Sequence, residues 1–213
     1  MDDTLENLFE SGTLVRSIGE TPNSVDLTLA MAKIAGVGGI EESERIRSLR
    51  GLIGDVDNLV FVIVDGLGMN LLERLSETSF LPRNYVMELR AITPSTTACA
   101  ITAFATGLYP CASGITGWYT YLPEYRLTAT VLPFWEVSSQ TPLGDLGISV
   151  DSVFPVTALM SEMRHKPLSI MPDEICESVT SRHLRGDTAA VGYSSIPEAI
   201  DLAIAGATRA NAT

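Results

Sequence analysis

Residues 59–66, LVFVIVDG, restrict what this chain can fold into more than any other stretch. Six apolar residues follow one another, four of them β-branched, so neither face of an extended segment is left for water. That is the pattern of a strand covered on both sides, as in a parallel sheet. The run is far short of the ~20 apolar residues a membrane-crossing helix needs. It ends in Asp65-Gly66, and in open α/β sheets ligands bind just beyond the carboxyl ends of the strands.

The rest of the chain supplies helices and further strands around this one. Leu27, Ala30, Met31, Ile34 and Ala35 recur at helical spacing, and Gly36-Val37-Gly38-Gly39 ends that helix. Residues 41–51 read as a second polar helix or an exposed connection. Met69, Leu71, Leu72 and Leu75 mark a helix that packs back after the Asp65 strand. Residues 86–92 alternate as another strand, stopped by Pro94. Ser95 is the expected N-cap of a helix starting at Thr96 or Thr97, with Ile101, Phe104, Ala105 and Leu108 as its buried stripe. Strands over 126–132, 167–171 and 188–193 alternate with helices over 156–164, 173–182 and 196–206. This order predicts an α/β fold with a mostly parallel sheet flanked by helices, and no internal repeat is present. Residues 1–50 form a helical or irregular lead-in, and 51–213 the main domain. The last helix runs into Thr-Arg-Ala-Asn-Ala-Thr with no strand after it, which predicts a sheet cut short at its C-terminal side.

Fourteen basic residues against 26 acidic ones give a formal charge of -12, with 46% of residues apolar and 19% charged. An acidic surface disfavours a nucleic-acid duplex or an anionic membrane as partner. A phosphorylated small molecule stays open, because a bound cation reverses the local potential. The N-terminus is acidic where a secretory signal is basic and then apolar, so a cytoplasmic, reduced location is the expectation. Cys99, Cys111 and Cys176 have neither disulfide-framework nor zinc spacing. Cys99 lies inside a predicted helix and reads as a small buried hydrophobe.

Two places carry chemistry. Asp65 at a strand's end is placed to ligate a divalent metal, although Asp-Gly is also plain turn chemistry. Thr96 and Thr97 open a helix, where free N–H groups and the helix dipole favour an anion. A metal-bound threonine hydroxyl can attack phosphorus, but Ser and Thr also cap helices with no further role. The sequence Asp-Gly-Leu-Gly lacks the spacing of a dinucleotide fingerprint. Trp118, Tyr119, Tyr121, Tyr125, Phe134 and Trp135 read as local packing or as the wall of a pocket.

Taken together, VIVDG, PSTT with its ten-residue helix, and TGLYP followed by Gly114-Ile115 resemble the N-terminal half of the type I phosphodiesterase / nucleotide pyrophosphatase family, in the alkaline phosphatase superfamily. The resemblance runs over roughly residues 55–120. It implies an alkaline-phosphatase-like fold and metal-dependent hydrolysis of a small phosphate ester or diester. By it, Thr97 is the catalytic nucleophile and, with Asp65, holds two divalent metals, zinc by the family pattern. Ala98 and Thr96 border the phosphoryl group.

This chain departs from that pattern at Ala100, where many members carry Asn, at Thr96, often Lys, and at Ser113, a His in the family. The further Asp and His metal ligands are missing. His165 and His183 have no aspartate immediately or four residues before them and read as ordinary histidines. The expectation is a chain with one half of a metal site and little activity alone. A non-catalytic remnant and a sulfatase- or phosphomutase-type relative are the alternatives. An incomplete sheet edge would favour self-association.

Overall fold

The structure, a computed structural model, describes residues 3–210. Helix α1 spans Asp3–Glu10, α2 Ser24–Ile34 and α3 Glu44–Ile53. The start of α2 is set by a capping box. Asn23 Oδ1 accepts from the amides of Val25 and Asp26, and the Asp26 carboxylate accepts from the Asn23 amide. Arg45 Nε, on α3, reaches Asp26 Oδ2 at 2.9 Å and ties the two helices together. Between them lies a core of Ala30, Ile46 and Leu49.

Two single-turn helices follow, α4 (Met69–Leu72) and α5 (Phe80–Arg83), neither of which buries a residue. Helix α6 (Thr97–Thr106) is the hub. It starts at Thr96, not Ser95, and the Thr96 hydroxyl accepts from the Cys99 amide. Its fully buried residues are small ones: Ala98, Cys99, Thr102, Ala103, Ala105 and Thr106. The expected stripe therefore holds only at Ala105, while Ile101, Phe104 and Leu108 are half-buried. Small side chains let a helix approach on several sides at once, which a stripe of large residues does not. Cys99 and Ala103 pack with Val25 and Ile92, and Ala98 joins the core of the following sheet.

Gly107 ends α6 in the left-handed conformation at φ 66°. A Cβ there would stand 2.6 Å from Leu29 Cδ2 and 2.9 Å from Leu159 Cδ1. Gly107→Ala is therefore expected to cost about 2 kcal/mol, part backbone and part overpacking, read as a shift of the urea midpoint. Helix α7 (Pro110–Ser113) begins with Pro at a position that needs no N–H and ends at left-handed Gly114.

Strands β1 (Tyr119–Leu122), β2 (Leu127–Thr130) and β3 (Trp135–Glu136) form an antiparallel meander. Its buried face, with Leu122, Ala129, Val131 and Phe134, packs on Ile115, Leu143, Ile148 and Phe154 to make the largest core. Phe134 is the one member of the aromatic set that is buried. After α8 (Val150–Val153) and a 3₁₀ turn at Leu159–Glu162, β4 (Leu168–Pro172) pairs in parallel with β5 (Ala189–Tyr193). The crossover between them holds α9 (Asp173–Cys176) and α10 (Val179–Arg185), and α11 (Ile196–Ala210) follows β5. Thr180 Oγ1 donates to the Val131 carbonyl and so ties α10 to the meander.

The α/β class holds, but the sheets are small and the parallel one has two strands. The expected strand at 59–64 is not one. These residues belong to no ladder and remain 41–71% exposed. Residues 86–92 likewise make a single bridge, Asn23 to Arg90. Apolar pattern selects an extended backbone, yet a strand also requires a neighbour. Here β4 and β5 pair with each other and the meander pairs with itself. The helix expected over 69–77 shrinks to α4, and that over 156–164 to the 3₁₀ turn. Among the described residues no helix is long and apolar enough to cross a membrane.

Candidate active site at the head of α6

Residues 59–64 meet α6 through an edge-on contact of Phe61 with Phe104, ring centres 5.3 Å apart. The chain then turns sharply: Gly66 adopts φ 75°, and the Leu67 amide bonds to the Val64 carbonyl. This turn delivers Asp65 to the start of α6. Thr97 Oγ1 donates a 2.9 Å hydrogen bond to Asp65 Oδ2. The two residues singled out in the sequence, 32 positions apart, are thus in direct contact.

Thr97 is the first residue of α6, and its neighbour Thr96 has a different task. The Thr96 hydroxyl caps the helix and lies 3.3 Å from Cys99 Sγ. Cys99 in turn donates to the Ile115 carbonyl, which ties the helix head to the Gly114 loop. With Cys99 capped and the Ala100 amide bonded to the Thr96 carbonyl, the amides of Thr97 and Ala98 have no intrahelical acceptor. They and the helix dipole favour an anion at this end. Ala98 is fully buried, backbone included, and packs in the core of the meander, so of the two amides that of half-buried Thr97 is the one open to a ligand.

Asp65 and Thr97 line an open groove of about 430 Å³ between residues 61–68, α2 and α6. Ala100, Ile101 and Phe104 form one wall, Leu27 and Leu89 another. None of Trp118, Tyr119, Tyr121, Tyr125, Phe134 and Trp135 lines it. Ser113 is buried, its hydroxyl taken by the Pro110 carbonyl and the Ile115 amide. His165 is exposed. His183 Nε2 lies 2.8 Å from the Phe154 carbonyl and Nδ1 3.4 Å from Asp151. These local partners give His183 a place in the fold. Cys111 is exposed, and Cys176 is buried beside Arg185, which donates to its carbonyl.

Asp65 and Thr97 offer two oxygen donors within reach of one hard cation. A closed zinc site needs four ligands. Among the described residues no group of three or more His, Cys, Asp and Glu is gathered to hold a metal. Asp65 and Thr97 by themselves do not complete such a ligand set.

Sequence reading missed a buried network that fixes α2 against this site. Asn23 Nδ2 donates to the Tyr109 hydroxyl at 2.9 Å and to the Ser17 carbonyl at 3.0 Å. Asn23 is fully buried, and Tyr109 belongs to the Thr-Gly-Leu-Tyr-Pro turn after α6. The signal was present: Asn followed three residues later by Asp, ahead of an apolar run, is a capping-box signature.

No curated protein and no solved structure matches this chain. Residues 59–155, just under half of its length and including Asp65, Thr97 and the turn at Tyr109, match the family model of type I phosphodiesterase / nucleotide pyrophosphatase.

Proposed function

We propose that this chain carries the nucleophile half of a phosphoester hydrolase, acting on a small phosphate ester or diester. The observation that carries the reading is the 2.9 Å contact of Thr97 Oγ1 with Asp65 Oδ2 at a helix N-terminus, inside the segment that the family model covers. In this reading a phosphoryl group sits at the head of α6, with a non-bridging oxygen on the Thr97 amide. Thr97 Oγ1 attacks phosphorus in line, its proton passes to Asp65, and the P–O bond to the leaving group breaks. Water then cleaves the phosphothreonine and releases the phosphoryl product. Thr96 acts by holding the helix head that presents that amide.

A carboxylate is a weak base towards an alcohol, so further positive charge is required. A divalent cation held by Asp65 and Thr97, zinc by the family resemblance, would lower the hydroxyl's pKa and offset the charge that develops on phosphorus. The remaining ligands of a two-metal site are not gathered among the described residues, so we expect weak cation binding and slow turnover. The phosphothreonine route does not depend on the size of the turnover number.

Calorimetric titration with Zn²⁺ should show weak binding that Asp65→Asn removes, and the chain should release 4-nitrophenolate from bis(4-nitrophenyl) phosphate only with the cation present. Binding unchanged in Asp65→Asn would remove Asp65 from the site. Release of nitrophenolate at the same rate after chelation would remove the cation from the reaction. A non-catalytic remnant, the second reading, is favoured by the incomplete ligand set and predicts zinc binding with no release at all.

A further inference from the structure

We propose that the groove beside Asp65 and Thr97 receives the apolar organic arm of the phosphoester, and that Ser24 on α2 supplies the hydrogen bond that selects among such arms. The inference rests on the phosphoester reading above and names the substrate class: aryl or bulky alkyl phosphoesters whose arm carries an acceptor. Leu27, Phe61, Leu89, Ile101 and Phe104 line the groove, and its volume of about 430 Å³ suits a ring-sized group. Both members of the reacting pair line it too, so an ester placed on Thr97 has its arm in or over these side chains.

Ser24 is the independent observation. It lines the same groove, is 9% exposed, and its hydroxyl has no hydrogen-bond partner although it is shielded from solvent. Buried hydroxyls are almost always paired, because leaving one unpaired is costly. The Ser24 amide is bonded to the Arg90 carbonyl, and its own carbonyl accepts from Thr28 Oγ1, so the backbone is satisfied and the hydroxyl alone is not. A ligand acceptor entering the groove would remove that deficit. Beyond Thr97, the α6 side of the groove is apolar, with Ala100, Ile101 and Phe104. Phe61, Leu89, Ile101 and Phe104 lie within residues 59–155, while Leu27 and Ser24 lie outside them, so the N-terminal segment adds the hydroxyl to a groove whose other side belongs to the matched region.

The test is an NMR titration of the ¹⁵N-labelled chain, in the presence of Zn²⁺, with phenylphosphonate, methylphosphonate and the two acetylphenylphosphonates (meta and para). Phenylphosphonate should bind about tenfold more tightly than methylphosphonate, the usual worth of a small apolar group in a fitting pocket. The shifted amides should include Leu27, Phe61 and Ile101. Leu27→Trp, with Ile101→Trp as a second filling variant should the first lose its fold, should bring that ratio towards one. At least one acetyl isomer should gain over phenylphosphonate, and Ser24→Ala should erase the gain. Equal affinity for phenyl and methyl arms, or shifts confined to another face, overturns the groove. An acetyl gain that persists in Ser24→Ala overturns the role of Ser24. Failure here is separable from failure of the hydrolase reading. Phenyl-selective binding without any product on Thr97 keeps the groove and loses the hydrolase; product on Thr97 without arm selectivity does the reverse.

Discussion

Thr97→Ala is expected to lower the release of 4-nitrophenolate by about a thousandfold or more, to the background of the reaction without protein. The substitution removes the atom that attacks phosphorus, so neither a higher substrate concentration nor added zinc restores the rate. Stability should hardly change. Thr97 is half-buried and its hydroxyl makes one exposed hydrogen bond, to Asp65. Such a bond contributes about 1 kcal/mol or less to stability, and Ala is a better helix former than Thr. The thermal midpoint should therefore stay within a few degrees of wild type by circular dichroism. Thr97→Ser keeps a hydroxyl at the same place and should retain measurable turnover. A Thr97→Ala variant as active as wild type would show that the contact with Asp65 is a helix-start hydrogen bond and nothing more.

Asn23→Ala is the corresponding expectation for the fold, and its cost should be large. The side chain is fully buried and makes four hydrogen bonds: two to the first amides of α2, one to the Ser17 carbonyl and one to the Tyr109 hydroxyl. Losing the cap alone costs about 1 kcal/mol, and leaving the other buried groups unpaired adds to it, for a total of about 3 kcal/mol. In a chain of this size that corresponds to about 10 °C in thermal midpoint. Tyr109→Phe removes a single hydrogen bond of the set and should cost about 1 kcal/mol. The functional consequence follows from geometry. Asn23 precedes Ser24 and anchors α2 to the turn after α6, so its loss should also loosen the groove and reduce the discrimination between phenyl and methyl arms.

The sequence located the candidate site better than it located the sheet. The pairing of Asp65 with Thr97 was legible because each belongs to a motif with a local physical basis: an apolar run with a turn at its end, and a hydroxyl at a helix start. The structure brings their side chains together without any strand at 59–64. What failed was the step from apolar pattern to paired strand. Leu59, Val60, Phe61, Val62, Ile63 and Val64 have the composition of a buried strand, but a ladder also depends on which other segments lie alongside. That information is spread over the whole fold and is not present in eight residues. Helix α6 shows a similar lapse on a smaller scale. Periodicity predicts a stripe of Ile101, Phe104, Ala105 and Leu108, of which only Ala105 is buried, whereas the residues of α6 that enter the cores are the small Ala98, Cys99 and Ala103. Thr96 displaced Ser95 as the cap by one residue, the usual margin for a helix end. β4, β5 and α11 came out near their expected bounds, because each short run is set off by polar or turn residues. The Asn23 network was overlooked, since its partners Ser17 and Tyr109 are distant in sequence, although half of it was visible as a capping box.

The most direct measurement is mass spectrometry of the chain after incubation with zinc and bis(4-nitrophenyl) phosphate, quenched in acid and digested. The account predicts a phosphoryl adduct on the peptide that contains Thr97, located at that residue by fragmentation and missing from Thr97→Ala. An adduct on another residue, or nitrophenolate release with Thr97 left unmodified when the product is trapped at early times, would contradict it.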